Sequence, residues 1–440
     1  MLIGNGVVIT LDDSKKFIPC GGVLIDGDVI KEVGDFQELK KKYPNEEIFD
    51  VNGKVIMPGL VNMHTHFYSA YARGMNSSGS KRNFMEILEN LWWALDKKLE
   101  LEDVYLNSMT TLIESVQNGV TTIFDHHASP YNTLGSLDQV ARAIDEIGIS
   151  GDICFEISER DGLERTEQAI TENLNAVNKY NSIENGRIRS HIGVHASFTV
   201  GDDTLKKVSD ACKELNAGVH IHVAEGIEDE LDSLHKYGKR VVERLENFDL
   251  LGGKNMVVHC CNLSHKEMNM LRDSNTIVIH NPESNMGNSV GTTPVTELLN
   301  LGVLVGLGTD AYTNDMFESV KVAKVLQSHD LNDPTVGFDE ASKLLFENNP
   351  KIASKFFDKG VGVIKEGNYA DLIVVDYKPY TPFNSDSYVG HLLFGFSGAK
   401  VDSTIARGKF VMKNRVITTV DVDDIYERSR NRAVEIWKKM

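Results

Sequence analysis

The chain has 440 residues, which suits one large catalytic domain with an accessory one, and 46 Lys+Arg against 64 Asp+Glu give a net charge of −18. This acidic balance argues against nucleic acid or an anionic membrane as a main partner, because both bind basic surfaces. No apolar run approaches the roughly 20 residues that span a bilayer, and the first residues do not resemble a signal peptide. Five cysteines without a CxxC pair favour a reducing cytoplasm over a disulfide framework.

Short strands separated by Gly turns are predicted near both ends of the chain. In the first 57 residues we expect strands at Gly6–Leu11, Gly22–Ile25, Val29–Val33 and Val51–Met57, with a Lys-rich turn at Lys40–Lys42. A similar pattern returns at Asp371–Asp376 and Ser403–Ile417. We therefore predict a composite β-sandwich built from residues 1–57 and 358–420, followed by a C-terminal helix over residues 421–440.

The middle of the chain, residues 58–357, alternates apolar runs with helical stretches such as Asp138–Ile147, Asp203–Leu215 and Asp229–Leu245. Strands that are apolar on both faces and alternate with helices indicate a parallel sheet. An open doubly wound sheet is the alternative, but a GxGxxG loop after a strand is absent. Eight such units predict an α/β fold of the (β/α)₈ barrel type. The runs are Leu60–His64, Val120–Asp125, Gly151–Glu156, His191–His195, Gly218–His222, Met256–His259, Thr276–His280 and Val303–Asp310.

Histidine and carboxylate side chains fall at the ends of these predicted strands, where a barrel places its chemistry. His64 and His66 lie two apart on one strand, about 6.6 Å between Cα atoms, so their rings point the same way and can converge on an ion. An HxH alone is a weak signal. His222, His259 and Asp310 end three further strands, and the barrel would aim all of these groups at one mouth.

Several sequence strings resemble the amidohydrolase superfamily, in particular its branch of single-metal deaminases and chlorohydrolases. They are PGLVNMHTH, HVAE, VHC, HNPESNMGNSVG and GLGTD. The strings FYSAYARGM, ENLWWALD, FDHHASP, HASFTV and FGFSGAK resemble more closely the SsnA-type aminohydrolases, which are associated with selenium-dependent purine metabolism. The resemblance covers nearly the whole chain, including the β unit built from both termini.

The resemblance implies a set of site residues. It makes His64, His66, His222 and Asp310 the metal ligands, and it assigns catalytic roles to Glu225, His259 and Asp310. Relatives with two metals carry a lysine at the end of strand four, where this chain reads HIGVHASF, so we expect one divalent ion. Zn²⁺ is the expected metal, with Fe²⁺ as the alternative, because both accept these ligands. Similar enzymes are often homodimers, and we expect the same here.

These residue types suit hydrolysis of a carbon–nitrogen bond. Three neutral imidazoles and one carboxylate leave a divalent ion with net positive charge, which lowers the pKa of a bound water toward roughly 7. Asp310 could accept the proton of that water, and His259 could orient it. Glu225 could protonate a ring nitrogen and then the departing amine, provided that its pKa is raised toward neutrality.

We predict substrate contacts at five further residues, each with a structural alternative. His195 ends the fourth strand, where relatives contact substrate, and it could instead ligate a second metal under metal excess. Arg73 could pair with a carbonyl or carboxylate of the substrate, and the alternative is an ordinary exposed arginine. Trp92 and Asp96 could close over the substrate, although aromatic residues at helical spacing are more often part of a core. His127 could contact substrate or only hold a loop.

The predicted function is a metal-dependent aminohydrolase that releases ammonia from a nitrogen heterocycle or amidine. The purine connection comes only from the subgroup resemblance. Hydrolysis of a cyclic amide or of a carbon–halogen bond is the alternative within the superfamily, and Glu225 favours an amine because a halide needs no proton to leave. A non-catalytic barrel scaffold is the alternative of another class. It is disfavoured because all six expected metal and proton-transfer positions are filled.

Overall fold

Parallel strands in the middle of the chain form a ring. In a computed structural model that describes residues 1–14, 16–76 and 78–440, two parallel sheets of four and five strands share this region. The fourth strand is interrupted at His191, so that its two segments belong to different sheets and the described residues contribute eight barrel strands. They are Leu60–Thr65, Val120–His127, Ser150–Phe155, Ile188–Ser190 with Ile192–Ala196, Val219–Val223, Met256–His259, Ile277–His280 and Val305–Leu307.

Short bridges join the two sheets into a closed ring. Thr65 pairs with Asp310, and Ile157 pairs with Val194. The amides of Thr309 and Asp310 each donate to the carbonyl of His64 at 3.0 Å. The first and eighth strands approach closely here because residue 308 is a glycine. A Cβ atom added at Gly308 would lie 2.8 Å from the Cβ of His64. The end of the eighth strand is therefore held against the histidine-bearing end of the first.

The strands of both chain ends form one further sheet. Val55–Pro58 pairs in parallel with Leu2–Ile9 and antiparallel with Leu372–Asp376, which links the two termini directly. Within the described residues this sheet has nine strands: Leu2–Ile9, Phe17–Asp26, Val29–Asp35, Ile48–Asp50, Val55–Pro58, Leu372–Asp376, Lys400–Ala406, Lys409–Lys413 and Val416–Ile417. The first barrel strand begins two residues after Pro58. The domain boundaries given above remain predictions.

Helices cover the outside of the ring and turn an apolar face toward it. In Ser136–Ile147, for example, Val140, Ile144 and Ile147 are fully buried at helical spacing. The α-helices are Phe36–Lys42, Phe84–Ile87, Trp93–Asp96, Leu101–Gln117, Ser136–Ile147, Leu163–Tyr180, Asp202–Leu215, Ile227–Tyr237, Val241–Glu246, His265–Asp273, Pro282–Gly287, Val295–Leu301, Met316–Asp330, Phe338–Lys343, Asn349–Ala353, Tyr388–Phe394 and Val422–Trp437. Short 3₁₀ or π segments occur at Phe67–Ala72, Leu88–Trp92, Ser197–Thr199 and Leu344–Asn348. Among the described helices, none has the length and apolar character needed to cross a membrane.

Two local predictions are wrong. Lys40–Lys42 is the last turn of the helix Phe36–Lys42 and not a turn between strands, because Asp35 caps that helix by accepting from two of its free amides, and lysines at its end suit the helix dipole. The predicted helix Asp229–Leu245 is two helices, Ile227–Tyr237 and Val241–Glu246, because Gly238 adopts a positive φ of 65° and ends the first of them.

Candidate active site

The four predicted metal ligands converge at the carboxyl-terminal mouth of the ring. The Nε2 atoms of His66 and His222 are 3.2 Å apart, and Nε2 of His66 lies 3.4 Å from Oδ1 of Asp310. His64 belongs to the same cluster, with donor atoms of His64, His66 and Asp310 within 4.8 Å of one another. The structure thus brings together side chains from the ends of the first, fifth and eighth strands.

Hydrogen bonds hold the far side of each of these three imidazole rings. Nδ1 of His66 donates to the carbonyl of His126 at 2.5 Å, and Nδ1 of His222 donates to the carbonyl of His195 at 2.7 Å. Nδ1 of His64 lies 2.9 Å from Nε2 of His220. A carbonyl can only accept, so the ring protons of His66 and His222 are on Nδ1 and their Nε2 atoms carry lone pairs.

This arrangement fits a cation. The facing Nε2 lone pairs of His66 and His222 would repel each other without positive charge between them. Nε2 of His64 is buried and has no hydrogen-bond partner among the described residues. Burial, together with the neighbouring imidazoles, lowers the pKa of His64 and of His222 well below the usual value, so both rings are neutral, as metal ligation requires. Anchoring of the opposite ring nitrogen is typical of metal-binding histidines.

Backbone strain accompanies the site at two strand ends. His259 has a φ of 71° and Asp310 a φ of 55°, values that L residues rarely adopt. The conformation turns the Asp310 carboxylate between His66 and His259, whose Nε2 lies 3.5 Å from Oδ2 of Asp310. The amide of Ala311 donates to Oδ1 of Asp310 at 2.7 Å and holds the carboxylate there.

Glu225 and His259 lie side by side at the cluster. Nδ1 of His259 donates to Oδ1 of Asn285 at 2.8 Å, which leaves Nε2 as an acceptor 3.5 Å from Oε2 of Glu225. Burial, and next the negative charge of Asp310, raise the pKa of Glu225 to about 8. Glu225 is therefore protonated at neutral pH and can act as an acid. Asn288 fixes its other oxygen, donating to Oε1 at 3.3 Å.

A small cavity, which we call the reaction cavity, opens onto the cluster. Its wall includes His195 and Trp92, two of the predicted substrate contacts, together with Glu225 and His259. Phe84, Leu88 and Trp92 cover it from the segment 84–93, where a π-helical turn interrupts a helix; we call this segment the roof. The remaining lining residues are His66, Tyr68, Glu156, His222, Asn288, Asp310 and Ala311.

Three predicted substrate contacts do not line the reaction cavity. Asp96 is fully buried in an ion pair with Arg160, and burial raises the pKa of Asp96 to about 6 in spite of that arginine. His127 is fully buried too, with Nε2 2.9 Å from Oγ of Ser129. Arg73 is 70% exposed and pairs with Glu114 at 2.8 Å. It lines a wider cavity on the other side of Trp92, which also reaches His66 and Asp310.

The sequence predicts no role for Asn288, Tyr312 or Glu156, which lie in or beside the reaction cavity, and for Asn285 it predicts only a turn that shapes the mouth. Asn285 and Asn288 support His259 and Glu225, and Tyr312 donates to Oδ1 of Asn288 at 3.0 Å. Glu156 follows the third strand and lines the cavity. A signal was available for each: Asn285 and Asn288 lie in the string HNPESNMGNSVG, Tyr312 lies two residues after Asp310, and Glu156 ends an apolar run.

A cluster of histidines and an aspartate at the carboxyl-terminal mouth of a (β/α)₈ barrel, beside a protonated glutamate, defines a metal-dependent hydrolase. The profile of the Amidohydrolase family matches residues 55–411, and that of an imidazolonepropionase-like composite domain of bacteria matches residues 21–45. The chain belongs to the amidohydrolase family. This confirms the family resemblance and the barrel fold.

Similar proteins point to the same chemistry. The chain is 30% identical to the 5-methylthioadenosine/S-adenosylhomocysteine deaminase of Caldanaerobacter subterraneus subsp. tengcongensis, over 98% of each protein. It is also 30% identical to the 5'-deoxyadenosine deaminase of Methanobrevibacter smithii, over 100% of this chain and 98% of that protein. A zinc-bound adenosine deaminase from Xanthomonas campestris has the same fold, with a TM-score of 0.87 and 22% identity over 99% of this chain and 98% of that one. The chain is a metal-dependent aminohydrolase that acts on carbon–nitrogen bonds of a small molecule, as predicted.

Proposed function

We propose that the chain deaminates a purine of the adenosine type, with His64, His66, His222 and Asp310 holding one Zn²⁺ ion. The observation that carries the proposal is the pair of facing Nε2 lone pairs, His66 and His222, beside a glutamate that is protonated at neutral pH. The purine class is supported by the deaminases of adenosine derivatives to which the chain is 30% identical. When bound, the ion supplies positive charge that lowers the pKa of a water molecule.

The proton transfers fall to side chains of the chain itself. Asp310, held by the amide of Ala311, accepts a proton from the attacking water. His259 orients that water through Nε2, whose lone pair is set by the Nδ1–H donation to Asn285. Glu225 donates its proton to the ring nitrogen of the amidine, receives the proton that Asp310 took from the water, and delivers it to the departing amine. The hydroxyl group added to the ring carbon then loses its proton as the carbonyl forms, and this proton restores the acid form of Glu225. The amine leaves as ammonia.

An amine leaving group fits better than a halide. Glu225 is kept protonated by burial and by the charge of Asp310, and Asn288 fixes its orientation. A halide leaves as an anion and needs no such proton. The chlorohydrolase alternative therefore leaves the proton of Glu225 without a role, whereas hydrolysis of a cyclic amide would still need it for the ring nitrogen.

Further expectations remain part of the proposal. Zn²⁺ is preferred over Fe²⁺ because a d¹⁰ ion accepts the three-imidazole and one-carboxylate set without a redox liability. A cytoplasmic location is expected because the five cysteines of the chain form no disulfide. A homodimer is expected because similar enzymes often form one. His195 contributes to substrate binding from the cavity wall.

An ammonia-release screen tests the function. The zinc-loaded protein would be assayed with adenosine, 5'-deoxyadenosine, 5'-methylthioadenosine, adenine, guanine and atrazine, with metal-free protein as the control. We expect release from at least one adenosine derivative, at least tenfold faster than from the other compounds, and none without metal. Chloride release from atrazine as the fastest reaction, or no release from any purine, would contradict the proposal.

A further inference from the structure

A carboxylate that the proposed mechanism does not use lies in the wall of the reaction cavity. Glu156 follows the third barrel strand, is 5% exposed and belongs to the residues that line the cavity. Its Oε1 lies 3.2 Å from Nδ1 of His126 and 3.5 Å from Nδ1 of His66. Its Oε2 has no hydrogen-bond partner among the described residues. One oxygen of a nearly buried carboxylate is thus left to the cavity.

Glu156 shares a proton with His126. Nε2 of His126 donates to the carbonyl of His220, so one proton between Nδ1 of His126 and Oε1 of Glu156 accounts for the 3.2 Å contact of these two atoms. This proton occupies Oε1 and leaves the lone pairs of Oε2 to accept hydrogen bonds inside the cavity.

A second metal site does not account for Glu156. His66 and His222 use Nδ1 to donate to backbone carbonyls, and their Nε2 atoms face each other in the metal cluster. His126 uses Nε2 to donate to the carbonyl of His220 at 3.0 Å. Only Nδ1 of His126 is left beside Glu156, and a single nitrogen with one carboxylate does not make a closed zinc site.

We propose that Glu156 is a specificity-determining residue that accepts hydrogen bonds from the substrate. Resting on the function proposed above, this means that the substrate presents N–H or O–H donors to Oε2 of Glu156 and carries no anionic group there. Two sources have this chemistry: the hydroxyl pair of a ribose and an exocyclic amino group on the ring. A buried carboxylate without such a donor would remain unpaired, which costs binding energy.

Matched ligand pairs and two variants test the proposal by binding, independently of turnover. Adenosine against 2',3'-dideoxyadenosine reports on the ribose hydroxyls, and 2,6-diaminopurine against adenine reports on a ring amino group. Dissociation constants would be measured by calorimetry on zinc-loaded Glu225→Gln protein, with and without Glu156→Gln. Glu159→Gln, whose carboxylate binds the amide of Gly201 and the hydroxyl of Thr204 outside the cavity lining, is the matched control.

We expect the donor-bearing member of one pair to bind about tenfold or more tightly than its partner, and the identity of that pair names the donor. Glu156→Gln should reduce this preference at least fivefold with the zinc content unchanged, while Glu159→Gln should leave it intact. Equal binding within both pairs, an equal loss for all four ligands, or loss of zinc in Glu156→Gln would each overturn the proposal. Failure of the proposed function is a separate result, since it is the absence of ammonia release by the wild-type protein.

Discussion

The metal-facing wall of the reaction cavity is built from strand ends, whereas the roof is a short helical segment interrupted by a π turn. On the wall, the rings of His66 and His222 are each held by a backbone carbonyl, so the barrel itself fixes their direction. On the roof, Phe84, Leu88 and Trp92 cover the cavity with apolar side chains that form no hydrogen bond to the cluster. Chemistry is thus carried by rigid strand ends, and the roof shapes and closes the space.

Replacing a ligand on the wall has the largest expected effect. His222→Ala removes one of four donors and leaves the lone pairs of His64 and His66 without a complete site, so we expect zinc content near zero and no measurable ammonia release. His220 lies on the same strand as His222 and faces the same way. His220→Gln removes only the imidazole that contacts Nδ1 of His64. It should weaken zinc affinity by about 10–100-fold. The zinc content of both variants would be measured after dialysis against increasing concentrations of a chelator. Full zinc content in His222→Ala would show that His222 is not a metal ligand.

Changing the acid on the wall should affect the chemistry and spare the metal. In Glu225→Gln we expect zinc content near wild type and turnover lower by about 10²–10⁴-fold, because only a proton donor is lost. The acid form exists below its pKa, so kcat/KM of the wild type should fall as the pH rises through about 8. The Gln variant should lack that alkaline limb. A pH–rate profile with the same limb in both proteins would remove Glu225 from the mechanism.

Substitution behind the roof should act on stability rather than on chemistry. Asp96→Asn removes one of the two carboxylates that pair with the buried side chain of Arg160 and leaves Asp161 as its partner, so we expect a loss of ~1–3 kcal/mol in the free energy of unfolding. Turnover per folded, zinc-loaded molecule should stay within about threefold of the wild type. Denaturant unfolding and single-temperature kinetics separate the two effects. A large fall in kcat with unchanged stability would show instead that Asp96 acts in the reaction.

The smallest effect is expected at the exposed arginine of the wider cavity. Arg73→Ala removes an ion pair with Glu114 in which the arginine is 70% exposed, and such surface pairs contribute ~0–1 kcal/mol. We expect kcat/KM within twofold of the wild type for a neutral purine. The control is Arg142→Ala, which removes an exposed ion pair with Glu146 outside both cavities. An increase of tenfold or more in KM for Arg73→Ala alone would indicate that Arg73 contacts substrate after all.

The sequence says more about the strand ends than about the roof, for a physical reason. It predicts that His64, His66, His222 and Asp310 lie close together because residues at the carboxyl ends of parallel strands share one mouth, and the structure brings these four side chains together. Asp96 lies in a short helix of a connecting segment, where packing decides which side chains face the cavity. His127 ends the second strand, but it follows His126 directly, so the side chains of these two residues point to opposite sides of the strand. The sequence does not show that Asp96 pairs with Arg160 or that His127 contacts Ser129.

Other features depend on backbone geometry that periodicity does not encode. The positive φ angles of His259 and Asp310 turn those side chains into the cluster. Histidine and aspartate adopt this conformation more often than most residues, but nothing in their spacing shows where they do so. Gly308 allows the end of the eighth strand to approach His64, and only the three-dimensional structure shows this contact. In contrast, the break at Gly238 could have been read from the sequence, since a glycine after a helical stretch often ends it.

Calorimetric titration of Zn²⁺ into the metal-free wild-type chain tests the central claim most directly, because it needs no substrate. Four side chains that share one ion predict a single tight binding event with a stoichiometry of one zinc per chain, and no further tight event as zinc is added in excess. A stoichiometry of two, or no heat beyond dilution, would contradict the assignment of His64, His66, His222 and Asp310 to one metal centre.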